Sequence, residues 1–197
     1  KAKAKAQGLT PAEVYTLASI VQKETAKNDE RPRVAGVYLN RLHNGWKLDA
    51  DPTVIYAVKK TQNDFDQVIK RVLYKDLETD SPYNTYKYAG LPPGPIFMPD
   101  LSAINAVLNP ENHQYYFFVA DVSNPGYHLF AKTMAQHNAN RKQYINWINK
   151  QGIVPYKVHL GWKCSDKGDK SFIWLEQKQV KETNKEQILN VSHGNCL

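Results

Sequence analysis

TPAEVYTLASIVQKETA, residues 10–26, is the stretch from which the rest of this chain can be read. Thr10 as cap, Pro11 at the first helical position and Glu13 at the third form a reciprocal capping pattern, which predicts a helix from Pro11 to about Ala26. Val14, Leu17, Ala18 and Val21 recur at helical spacing and make a stripe that faces a core. On the helical wheel Glu24 falls between Leu17 and Ile20, on the same inward side, whereas Gln22 points well away from it. A carboxylate on a core-facing stripe is the oddest feature of this helix. Burial disfavours the charged form and raises the pKa, which is how a carboxylic acid is kept protonated near neutral pH and able to donate. The opposing reading is a side chain that reaches solvent or pairs with Lys23 or Arg41.

Outward from this helix, Asn28–Pro32 breaks the chain, and a second helix is expected from Arg31 to His43, ended by Asn44-Gly45. Trp46–Ala50 reads as a short strand. Asp51-Pro52 starts a short helix through Val58, with Asp51 as its cap, and a further helix is expected around Asp66–Leu73. Ser81–Tyr86 and Gly90–Ile96 form an unusual loop, stiffened by adjacent prolines that exclude it from a sheet interior. Asp100 caps a helix through Leu108. Tyr115–Ala120 and Tyr127–Phe130 pair as a hairpin across Ser123–Gly126. A long helix then runs from Thr133 to Lys150. The opening Lys1–Ala6 reads as the tail of a helix already under way. The predicted class is α+β: a mostly helical body with a small antiparallel sheet. Residues 1–152 form the main domain, and 153–197 a small appendage with a hairpin and a polar helical stretch.

The totals restrict partners without choosing one. Hydrophobic residues make up 42% of the 197, enough for a real core, so disorder is not the default. Lys and Arg number 26 against 19 Asp and Glu, and the net charge of +7 favours an anionic partner such as nucleic acid, a membrane surface or an acidic glycan. That charge is spread along the chain, which argues against a nucleic-acid-binding arm. No apolar run is long enough to span a bilayer. Cys164 and Cys196 lack zinc-finger spacing and are read equally as a disulfide or as two free thiols.

Other chemistries find little support. No serine elbow, phosphate-cradling loop or dinucleotide fingerprint occurs. The histidines at 43, 113, 128, 137, 159 and 193 include no paired spacing, so neither a metal nor another cofactor is expected. His128 and His137 could reach a cleft. Tyr83, Asn84 and Tyr86 offer aromatic faces and an amide suited to sugar rings, against the alternative of a rigid connection. Asp49 and Asp51 could supply the second carboxylate that a hydrolytic glycosidase requires, but capping is the stronger reading for Asp51 and solvation for Asp49.

The run Leu17–Thr25, ending in Lys23-Glu24-Thr25, resembles the active-site helix of the YceG-like (MltG) family of endolytic murein transglycosylases. The likeness continues in order through Val34–Leu42, Asp51–Tyr56, Ser81–Tyr86, Gly90–Ile96, Phe118–Ala120, His128–Phe130 and His137-Asn138. It implies a lysozyme-like body and a lyase that cleaves the β-1,4 bond between N-acetylmuramic acid and N-acetylglucosamine, leaving 1,6-anhydromuramyl ends. The family's catalytic Glu falls on Glu24; many relatives carry a further Glu where this chain has Gln22. Tyr83, Asn84, Tyr86, Leu91 and Pro92 are implied as substrate-binding residues. Asp51, Thr53, Asn40 and His128 join them from the other matching blocks. The resemblance further implies peptidoglycan strands as partner, possible contacts with cell-wall synthases, no nucleic acid, and a place on the extracytoplasmic face of the cytoplasmic membrane. Family members usually carry one N-terminal membrane helix and a LysM-like region. Residues 153–197 match nothing in the family. Two other readings stand beside this one: a lysozyme-type muramidase, and a non-catalytic peptidoglycan-binding module.

Overall fold

The computed structural model describes residues 1–69 and 72–150. The hairpin and helix expected within 153–197, with Cys164 and Cys196, lie outside the described residues. In chain order the elements are α1 (Ala2–Ala6), α2 (Pro11–Glu24), α3 (Arg31–His43), α4 (Asp51–Gln62), α5 (Tyr74–Leu77), α6 (Leu101–Leu108), β1 (Phe117–Ala120), β2 (His128–Ala131) and α7 (Met134–Lys150). This is an α+β arrangement.

The capping box of α2 forms as the residue types dictate: Thr10 Oγ1 accepts from Glu13 N–H at 3.3 Å, and Glu13 Oε2 accepts from Thr10 N–H at 2.7 Å. Its apolar stripe packs against α3 and α6, and Leu17, Ile20 and Val21 are fully enclosed. Burying each such side chain stabilises the fold by about 1.5–3 kcal/mol. The helix stops at Glu24 rather than near Ala26 because Thr25 turns to an extended backbone, φ −137° and ψ 135°. Glu24 is therefore the last helical residue.

α3 is stitched to the segment before β1 by side chains that stand in for a strand. Asn40 Nδ2 donates to the carbonyls of His113 and Tyr115 at 2.9 and 3.0 Å, and Arg41 Nε donates to that of Tyr116 at 2.7 Å. With those carbonyls taken, regular pairing starts at Phe117 rather than at Tyr115. The two strands are antiparallel, Phe117 opposite Ala131 through Ala120 opposite His128, and α7 covers the sheet. Gly36 makes the seam possible, since a Cβ there would lie 2.6 Å from the Glu111 carbonyl oxygen.

Four further expectations change. Trp46–Ala50 is not a strand: Arg41 Nη1 takes the Leu48 carbonyl at 2.9 Å, and Asp49 sits at φ 49°, a left-handed conformation that ends an extended run. Asp49 is not solvated either; it is buried in an ion pair with Arg41 at 3.2 Å. The helix expected around Asp66–Leu73 is absent from 66–69, and the helical turn forms later, at Tyr74–Leu77, where Asp76 Oδ2 accepts from Leu73 N–H at 2.8 Å. α4 in turn runs past Val58 to Gln62 and closes on Asn63 in the left-handed region.

Candidate active site

Glu24 lies where α2 ends, and its carboxyl meets α3. The Tyr38 hydroxyl, on a fully buried ring, donates to Glu24 Oε1 at 2.6 Å. Glu24 keeps part of its surface open while its carboxyl is walled by protein. Burial pushes its pKa up to about 7; the Tyr38 hydrogen bond opposes this, the Asp51 charge adds to it, and His128 and Arg41 pull it down. A helix C-terminus also presents orphan carbonyls, which disfavour a negative charge there. The alternative of a basic partner does not hold: Lys23 instead lies over the Phe97 ring at 3.6 Å, and Arg41 is committed to Asp49. Gln22 points elsewhere, accepting the Asp100 N–H at 2.6 Å.

Because Tyr38 donates to Oε1, that oxygen acts as an acceptor. The proton of neutral Glu24 is thereby directed to Oε2. In that arrangement Oε2 is the oxygen that carries the transferable proton.

Asp51 corrects the capping expectation. Ala50 holds the N-cap position of α4 with no side-chain cap, and Asp51 Oδ1 instead accepts from the Tyr86 hydroxyl at 2.6 Å, with both residues buried. Burial raises Asp51 to about 6, against the Tyr86 bond. Glu24 and Asp51 are thus two neighbouring carboxyls, each held by one tyrosine hydroxyl. Tyr38 was missed from sequence because it becomes a partner only when α3 crosses the end of α2.

The remaining predicted residues divide. Asn84 is fully buried, its Nδ2 donating to the Leu77 and Thr79 carbonyls at 2.8 and 2.9 Å and its Oδ1 accepting from Tyr86 N–H at 3.0 Å. Thr53, also fully buried, donates to the Ala50 carbonyl at 2.7 Å and shares a 2.8 Å hydrogen bond with Thr85. These two, with Asn40, hold backbone rather than face a ligand. Tyr83 is half-buried, its ring tilted on Tyr56 with centroids 4.7 Å apart. Leu91 is half-buried and packs on the core, whereas Pro92 is buried. An open groove is lined by Asp80, Ser81, Pro82, Tyr88, Leu91 and Pro93. His128 sits on β2, its Nδ1 2.7 Å from Glu30 Oε2. His137 stacks on Phe117, 5.3 Å between centroids, and is buried. Among the described residues no group of three or more His, Cys, Asp or Glu is placed to hold a metal, and no helix is long and apolar enough to cross a membrane.

Comparison with known proteins places this geometry in a family. An endolytic murein transglycosylase of Bacillus subtilis (strain 168) is 38% identical over 151 residues, covering 77% of this chain and 39% of that protein. One from Streptococcus pneumoniae serotype 2 (strain D39 / NCTC 7466) is 36% identical over 142 residues, 72% of this chain and 25% of that one. The chain therefore spans well under half the length of these relatives. A crystal structure of a yceG-like protein from Listeria monocytogenes superposes with a TM-score of 0.61 at 39% identity, covering 70% of this chain and 42% of that one. The sequence profile of the YceG-like family matches residues 1–143, and the chain belongs to that family.

Proposed function

We propose that residues 1–152 carry the catalytic centre of an endolytic peptidoglycan lytic transglycosylase, with Glu24 as acid and then base. The observation that carries the reading is a walled carboxyl, pushed up to about 7, whose Oε1 is held by Tyr38. In the first step Glu24 Oε2–H protonates the glycosidic oxygen as the bond from muramyl C1 breaks, releasing the N-acetylglucosamine hydroxyl. Glu24, now a carboxylate, takes the proton of the muramyl C6 hydroxyl, whose oxygen bonds to C1 of the same sugar and closes the anhydro ring. The proton balance returns to its start, and water is not consumed. A nucleophile already tethered to the reacting sugar replaces a bound water through effective molarity. Tyr83 and Leu91 would line the sugar path, with Tyr86, Pro92, Asp51, Thr53, Asn84 and Asn40 supporting it from behind. The setting this reaction implies is the extracytoplasmic face of the cytoplasmic membrane, with glycan strands as partner.

The neighbouring Asp51 favours one second reading, a lysozyme-type muramidase in which Asp51 activates water. Digestion of purified peptidoglycan separates the two, because anhydro ends differ in mass from reducing ends by one water. The transglycosylase reading expects anhydro products from wild type and a loss of at least 10²-fold for Glu24→Gln. Reducing ends alone, or an active Glu24→Gln enzyme, would overturn it.

A further inference from the structure

The connector between α2 and α3 does more than link them: it clips the hairpin beside the candidate site. Tyr127 Oη donates to Asp29 at 3.0 Å, and Lys27 Nζ lies over the Tyr127 ring at 4.8 Å. Gly126 takes φ 90°, and a side chain there would meet Lys27 Cε at 2.8 Å. The third point of the clip is Glu30, which is buried and takes two hydrogen bonds from one residue. Its Oε1 accepts from the His128 backbone N–H at 2.8 Å, and its Oε2 lies 2.7 Å from His128 Nδ1.

A carboxylate bound to one ring nitrogen sets the tautomer and orientation of an imidazole. With the Nδ1 proton directed to Glu30, the ring has only Nε2 left to offer. Among the described residues nothing hydrogen-bonds that nitrogen, and 13% of the side chain remains open. The Phe118 ring fixes the imidazole from one side, with centroids 5.2 Å apart and planes at 81°. Phe118 in turn meets Tyr38 edge-on at 5.9 Å, and Tyr38 holds Glu24. Glu24, Tyr38, Phe118, His128 and Glu30 are therefore one contiguous wall, and the Glu24 carboxyl responds electrostatically to His128.

We propose that Glu30 and His128 form a substrate-holding pair, in which Glu30 fixes the imidazole so that Nε2 meets a hydroxyl group of the glycan beside Glu24. A hydroxyl is the matching group because it can donate to the neutral ring and accept from the cation, so the contact survives either state. Glu30 is the positioning residue of the pair and does not touch the sugar. The inference rests on the transglycosylase reading of the site.

The test measures binding of a soluble, uncross-linked glycan of alternating N-acetylglucosamine and N-acetylmuramic acid to the Glu24→Gln protein, which leaves the ligand intact. His128→Asn is added in that background, because an asparagine amide reproduces the Nδ1 donor to Glu30 but does not reach the Nε2 position. The expected result is an affinity about tenfold lower in a variant that still unfolds in one cooperative transition. Saturating glycan should also shift the His128 Nε2 resonance of the Glu24→Gln parent. An unshifted ring in a parent that binds glycan removes the pair and leaves the functional reading standing, as does a His128→Asn variant with the parent's affinity. A parent that binds no glycan overturns both.

Discussion

Two carboxylates at the edges of the α2–α6 layer have been pushed in opposite directions. Asp100 begins α6, where its Oδ1 accepts the Ala103 N–H at 2.9 Å and Arg31 lies 2.8 Å away; the backbone bond first, then the arginine, hold it down at about 2. Glu24 ends α2, walled in, with one hydroxyl as its partner, and burial holds it up at about 7. A helix start offers N–H groups and a favourable dipole, whereas a helix end offers carbonyls. The same functional group is a fastener at one end and a proton carrier at the other. Position and solvation, not residue type, make the difference.

The sharpest test of that contrast is thermodynamic. Glu24 in the folded state holds its proton to about 7, against an ordinary value of 4.5. The native state therefore binds more protons than the unfolded chain between those values, and stability falls as pH rises through the window. Glu24→Gln removes the ionisation while its amide oxygen can still accept from Tyr38. Denaturant unfolding should show the variant more stable than wild type at pH 8 by up to about 3 kcal/mol and equal to it at pH 4. Equal stability at pH 8 would mean that the carboxyl is not held away from water. Function here would come at the expense of stability, as strained sites commonly do.

Tyr38→Phe probes the hydroxyl that directs the proton to Oε2. The ring still fills its place in the core, so the fold should persist. Removing a bond that favours the charged carboxylate should move the alkaline limb of the pH–rate profile to higher pH. Turnover below that limb should fall by roughly tenfold to a hundredfold, because the acid loses its fixed orientation. A variant with wild-type turnover and an unmoved limb would remove Tyr38 from the chemistry.

How much of this was legible in the chain depends on how far each interaction reaches. The α2 cap was, because Thr10 and Glu13 meet within one turn, and so was the inward face of Glu24, a matter of helical period. Asp100 was read as a cap for the same reason. Tyr38 was not, since its hydroxyl finds Glu24 only once two helices cross. Asp51 was misread as a cap: proline follows a capping residue or a first helical residue equally well, and Tyr86 decides between them from 35 positions away. Asn84 looked like a sugar-binding amide, yet its local geometry spends both ends of the side chain on the backbone of residues 77–86. Asn40 was expected among the substrate-binding residues, and its amide instead takes the place of a strand partner.

Asp51→Asn moves the same limb the other way. The Asp51 charge disfavours ionisation of Glu24, so the amide should let Glu24 ionise at lower pH and shift the alkaline limb downward. Below the limb a transglycosylase should lose only a few-fold in turnover, whereas a hydrolase that depends on Asp51 as base should lose at least 10²-fold. The pH–rate profile with product masses therefore reads both the tuning and the reaction class. Opposite shifts for Tyr38→Phe and Asp51→Asn would identify the two groups as opposing controls on one carboxyl.

The smallest effect belongs to the fastener. Asp100→Asn retains Oδ1 as acceptor for the Ala103 N–H and for Arg31, and loses the charge and the second acceptor opposite Arg31. The folded carboxyl titrates below its ordinary 3.8, so its contribution is present above that value and lost as pH falls through about 2. Half of the Asp100 side chain is exposed, so solvent and salt screen the pair, and the loss at pH 7 should stay under about 1 kcal/mol. Asp100→Ala, which removes the cap as well, should cost about 1 kcal/mol more by the same unfolding measurement. Neither change should move the pH limb set by Glu24, although Gln22, two residues before it, bonds to the Asp100 backbone N–H. A displaced limb in the asparagine variant would mean that the start of α6 and the end of α2 are one electrostatic unit, and the contrast between fastener and proton carrier would dissolve.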